Sequence, residues 1–241
     1  MTGENIQRLL TEVVEKLKKT HGDALVSVVL YGSAAEGDHH AGYSDINLLC
    51  VLRQVTPLEL AAAEPVFKWW REKGNPSPLL LSRHELETSM DCFPIEFHDI
   101  KSQNRILFGE DVVSGLAVEY RYHRSQVEHE LRAKQLRLRQ KAAGVLSDQD
   151  LLRRLLGDSL STFCVLFRHA IVLAGGNAPM DKRGVIARAK DEFGIHTEPF
   201  DRLLDLREGK IKPRDLEPAP VFERYLREIS VVIDAVDRLE K

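Results

Sequence analysis

The chain has 241 residues, 43% of them hydrophobic, and a formal net charge of −3 at pH 7. That length suits one large domain or two small ones, and the near balance of charge gives no global electrostatic reason to expect nucleic acid as a partner. Cys50, Cys92 and Cys164 are odd in number, far apart and set in apolar runs, which argues against a disulfide framework or a zinc site and predicts buried free thiols in a reducing compartment. The N-terminal residues show neither a basic nor an apolar leader pattern, and no run approaches the roughly 18 apolar residues of a bilayer span. A cytoplasmic protein without a membrane partner is the expectation.

In chain order, Ile6, Leu9, Leu10, Val13, Val14 and Leu17 recur at helical spacing, predicting an amphipathic helix over 3–20. The apolar run 25–31 predicts a strand covered on both faces, ending in Gly32-Ser33. A loop over 37–44 carries His39 and His40, read as exposed, and a second strand is expected over 45–52. Thr56-Pro57-Leu58-Glu59 is a capping box with proline at the first helical position, opening a helix to about residue 73 in which Trp69 and Trp70 pack the core. Leu79-Leu80-Leu81 reads as a short strand, and Ser82 with Glu85 as a second capping box. Alternation from Phe93 to Ile100 predicts a further strand with Pro94 near its start, and 104–116 is ambiguous.

Beyond residue 117 the strand signals vanish. Helices are expected over 117–143, 148–174, 181–193, 198–208 and 218–240, punctuated by Gly144, Gly175-Gly176, Gly194 and Pro213. This change of character predicts a mixed domain over 1–116 and a helical domain over 117–241. The cations Arg132, Lys134, Arg137, Arg139 and Lys141 read as a solvated helix face.

The stretch with chemical content runs from Leu30 to Leu49. Gly32 lets backbone approach a ligand, Ser33 adds a hydroxyl at a helix start, and a strand-to-helix turn suits a phosphate. Asp45 and Asn47, two apart on a strand, share a face directed at the same turn.

Leu30-Tyr31-Gly32-Ser33-Ala34 followed by Ser44-Asp45-Ile46-Asn47 resembles the signature of the polymerase-β-like nucleotidyltransferase superfamily, particularly its aminoglycoside and minimal members. The resemblance implies an α/β (α+β) core with a mixed sheet followed by an all-α domain. It also implies a nucleoside triphosphate substrate, Mg²⁺ or Mn²⁺, and transfer of a nucleoside monophosphate to a hydroxyl of a small molecule or protein. On that pattern Gly32, Ser33 and Ser44 bind nucleotide, and Asp45 binds metal. The third acidic residue, from a neighbouring strand, is assigned to Glu96, with Asp99 as competitor on the opposite face by alternation. Lys182 resembles a helical-domain lysine that reaches the triphosphate.

The departure is Asn47 at the second acidic position. It offers a metal a carbonyl oxygen but no charge. That implies a weakened transferase, or alternatively a nucleotide sensor or a partner-binding, antitoxin-like module built on the same cleft.

Overall fold

The computed structural model describes residues 3–35 and 46–239. The chain divides into two compact units, Met1–Glu119 and Tyr120–Lys241.

The first unit is built on a four-stranded mixed sheet. Its strands are β1 (Leu25–Tyr31), β2 (Asn47–Leu52), β3 (Leu79–Ser82) and β4 (Asn104–Gly109), in the order β3-β2-β1-β4. Strand β1 is antiparallel to both β2 and β4, whereas β2 and β3 run parallel. Residues 25–31 are apolar almost throughout because both faces are covered. On one face Val28, Leu30, Leu48 and Cys50 pack against Leu10, Val13 and Leu17 of helix α1 (Gly3–His21) and Trp70 of helix α2 (Pro57–Glu72). Alternation sends Val29, Leu49 and Val51 to the other face, against Leu86 of α3 (Arg83–Thr88) and Phe97 and Ile100 of α4 (Pro94–Ser102).

Both capping boxes form. Thr56 and Glu59 close the start of α2, and Ser82 and Glu85 the start of α3, where the Ser82 amide donates to the Glu85 carboxylate at 2.7 Å. Trp70 is fully buried and Trp69 packs half-buried beside it.

The segment expected as a strand over 93–100 is helix α4. Phe93, Ile95 and Phe97 alternate for only five residues. Pro94 sits at the first helical position, where a missing N–H costs nothing, and Phe97 and Ile100 recur three apart on the buried face. The ambiguous segment resolves into strand β4. Cys50 and Cys164 are buried as expected, but Cys92 is exposed, in the turn just before α4.

The second unit consists of helices α5 (Tyr120–Ala143), α6 (Gln149–Leu173), α7 (Lys182–Phe193), α8 (Glu198–Arg207) and α9 (Pro218–Arg238). Helix α6 packs against all four others. Phe163 and Phe167 of α6, Phe200 of α8 and Tyr225 of α9 meet ring to ring, with centroids 5.0 to 6.5 Å apart. Helix α6 is long and apolar enough to cross a membrane by length and composition, a span not anticipated from the sequence. Half of that window is buried inside the protein. On α5, Arg132 and Lys134 pair with Glu128 and Glu130, while Arg137, Arg139 and Lys141 face solvent.

Around Glu208, Arg183 (2.9 Å) and Lys210 (2.7 Å) hold the carboxyl down at about 2, from an ordinary value of 4.5. A depressed carboxyl adds stability that is fully present above its unfolded value and is lost as pH falls through the folded one. Wild type is therefore expected to exceed Glu208→Gln in stability above about pH 4.5, the gap closing toward pH 2. Urea midpoints taken across that range check this, and a gap that stays constant with pH refutes it.

Candidate functional site

The turn after β1 is set by backbone geometry. Gly32 has φ 77°, in the left-handed region that glycine enters freely, and residues Ser33–Ala35 then form one 3-10 turn. Two of the turn's amides are already committed: Gly32 N donates to Gln103 O at 3.0 Å, and Ala35 N to Gly32 O at 2.8 Å. Among the described residues of the turn, the amides of Ser33 and Ala34 show no backbone partner.

Asn47 opens β2 directly opposite Tyr31, and Tyr31 is opposite Asn104 on its other side. Residues paired across strands share a face. Tyr31 and Asn47 thus lie on the α4 side of the sheet, two positions from Val29 and Leu49. Asn47 is half-buried, and its Nδ2 lies 3.4 Å from where a Cβ would stand on Gly32. The amide thus lies beside the glycine turn.

Among the described residues, the carboxylates in electrostatic reach of Tyr31 come from α4. Strand β3, the parallel neighbour of β2, reads Leu79-Leu80-Leu81-Ser82 and carries no carboxylate. Glu96 is exposed on α4 and Asp99 half-buried. Because the segment is helical, the two lie three apart and share a face, which corrects the expectation that alternation would separate them. Both act on Tyr31. Burial, then the charge of Asp99, then that of Glu96, pushes the Tyr31 phenol up to about 12. The phenol stays protonated at neutral pH.

Ser44 and Asp45 lie outside the described residues, as do His39 and His40. Of the donors described, Glu96, Asp99 and the Asn47 carbonyl present oxygen only. That set fits a hard divalent ion such as Mg²⁺ rather than a soft one.

In the second unit Lys182 is the first residue of α7, half-buried, with no ion pair among the described residues. Asp181 caps that helix by accepting from Gly184 N at 2.7 Å. Lys182 and Arg207 both lie close enough to the Cys164 thiol to oppose the upward push of its burial. A buried contact that sequence reasoning missed lies nearby on α5 and α6: His123 Nε2 and His169 Nδ1 are 3.0 Å apart, with the guanidinium of Arg168 3.5 Å from the far nitrogen of His169. The one hint in the sequence was Arg168-His169 interrupting an apolar helix.

A left-handed glycine turn thus stands beside an amide at the end of a mixed sheet, on the face that helix α4 covers. The chain belongs to the nucleotidyltransferase domain family, whose model matches residues 7–132, just over half of the chain, and is a polymerase-β-like nucleotidyltransferase. No curated protein matches it closely in sequence. Among solved structures, spectinomycin adenyltransferase AAD(9) from Enterococcus faecialis, with ATP and spectinomycin, shares the fold. It has a TM-score of 0.58 at 13% identity, over 96% of this chain and 99% of that one. A toxin–antitoxin structure with AMP-PNP gives a TM-score of 0.31 at 15% identity, over 57% of this chain and 95% of that one.

Proposed function

We propose that the corner formed by the Gly32 turn, β2 and α4 binds a nucleoside triphosphate with Mg²⁺ or Mn²⁺. The protein then transfers a nucleoside monophosphate to a hydroxyl of a small molecule or protein. The observation that carries this reading is the placement of Asn47 beside the Gly32 turn, on the sheet face where α4 brings Glu96 and Asp99 near Tyr31.

In this reading residues 1–116 act as the transferase domain and 117–241 as its helical companion. Gly32, Ser33 and Ser44 hold phosphate. Asp45 and Glu96 hold the ion, with the Asn47 carbonyl as a neutral ligand and Asp99 alongside Glu96. Lys182 supplies a cation for the triphosphate. The ion, when bound, neutralises charge on the phosphates. The buried thiols of Cys50 and Cys164 suit a reducing, cytoplasmic setting. The adenyltransferase with spectinomycin supports a small-molecule acceptor by analogy of fold alone. A second reading, a nucleotide sensor, draws support from Asn47 and from the absence of a carboxylate on β3.

Incubation with labelled triphosphates and Mg²⁺ or Mn²⁺, with and without candidate acceptors, tests both. Pyrophosphate release is expected, reduced on the order of 100-fold or more in Asp45→Asn and Glu96→Gln, since each removes charge that offsets the triphosphate. Tight binding without release moves the protein to the sensor reading. Absence of both binding and release overturns the site.

A further inference from the structure

The exchange of a carboxylate for an amide at residue 47 alters binding as well as metal count. We propose that Asn47 serves the triphosphate as a neutral hydrogen-bond donor, so that nucleotide binding at the Gly32 turn does not depend on a divalent ion. This rests on the reading of that turn as the triphosphate site.

Three observations lead to it. Among the described residues of the turn, the amides of Gly32 and Ala35 are spent on Gln103 and Gly32. Asn47 is placed to add donors beside them: it is half-buried, set at the start of β2 opposite Tyr31, and its Nδ2 lies 3.4 Å from where a Cβ would stand on Gly32. An amide carries two N–H donors, while an ionised carboxylate carries none.

The third observation concerns charge. The corner already holds Glu96 and Asp99 within electrostatic reach of Tyr31, the direct neighbour of Asn47 in the sheet. A further carboxylate at 47 would repel a polyanionic ligand in a partly buried site, where unit charges a few ångströms apart interact far more strongly than in water. Such a site needs bridging cations before it can accept phosphate. With an amide at 47, that added charge is absent and two N–H donors stand in its place, while Glu96 and Asp99 remain.

Calorimetric titration with a non-hydrolysable triphosphate analogue tests the proposal, in Mg²⁺ and again in EDTA. Wild type is expected to weaken less than about tenfold on chelation, while Asn47→Asp weakens at least about tenfold more than wild type does. Asn47→Ser, smaller and neutral, is expected to keep the tolerance to chelation at reduced affinity in both media. Thermal unfolding of each variant confirms that it folds. The wild-type pair of titrations decides the matter without any variant. Binding in Mg²⁺ that vanishes in EDTA overturns the donor role of Asn47 and leaves the proposed site standing. Failure of wild type to bind in either medium overturns the proposed site itself.

Discussion

Gly109→Ala is expected to destabilise the first unit by about 3–5 kcal/mol, among the largest effects of any single methyl group in the chain. Gly109 ends β4 with φ 81°, so an L side chain is strained there before any contact is considered. A Cβ would stand 2.0 Å from Val26 O, 2.9 Å from Val26 C and 3.2 Å from Ser27 Cα. All three are backbone atoms of the central strand and cannot swing aside. They are also held by hydrogen bonds: Glu110 N donates to Val26 O at 3.1 Å, and Ser27 Oγ to Glu110 O at 2.8 Å. Relief requires breaking the β1–β4 junction. Gly115→Ala, with no atom within 4 Å of its Cβ, is the matched control and is expected to be near neutral. Urea unfolding followed by the fluorescence of Trp69 and Trp70 measures both. Equal stability of the two variants would show that the junction yields more easily than its geometry implies.

Phe167→Ala is expected to cost the second unit about 3–5 kcal/mol, through lost transfer energy and an unfilled cavity. Phe167 is fully buried in the C-terminal half of α6, against Phe163 at 6.5 Å and edge-on to Phe200 at 5.4 Å. Phe200 in turn packs on Tyr225, 5.0 Å away, so the ring of Phe167 joins α6 to α8 and, through α8, to α9. Phe167→Leu, which keeps most of the volume, is expected to lose less than half as much. Val165→Ala, 42% exposed on the same helix, should change stability little. Circular dichroism melts rank the three. A Phe167→Ala melt indistinguishable from Val165→Ala would remove the aromatic cluster as the unit's organising contact.

The elements legible in the sequence were those whose signals are local. The run Leu25–Tyr31 and the boxes Thr56/Glu59 and Ser82/Glu85 need only their own neighbours to form, and each formed where it was read. Phe93 to Ile100 shows the limit. Three alternating apolar residues fit strand and helix alike, and the docking of Phe97 and Ile100 beneath Leu49 and Val51 decided for helix. That error carried into the site, because it put Asp99 on the wrong side of Glu96. The family and the glycine turn were readable from Gly32-Ser33 and Asp45-Ile46-Asn47. The roles of Tyr31 and Gln103 were not. A phenol's charge environment and a carbonyl's hydrogen-bond partner are products of the tertiary fold. Cys92 was misread for a similar reason: an apolar flank does not bury a residue that sits in a turn.

The hydrogen bond from Gly32 to Gln103 has a dynamic side. Gln103 is the joint between α4 and β4, and β4 is an outer strand of the sheet. Local opening of a folded unit can cost only a fraction of the global free energy. Any opening that parted β4 from β1 would carry away the carbonyl that anchors the Gly32 amide. The loop would then regain a donor while losing the shape that directs its donors. In the proposed reading, the shape of the phosphate turn therefore depends on an edge strand far downstream of the motif.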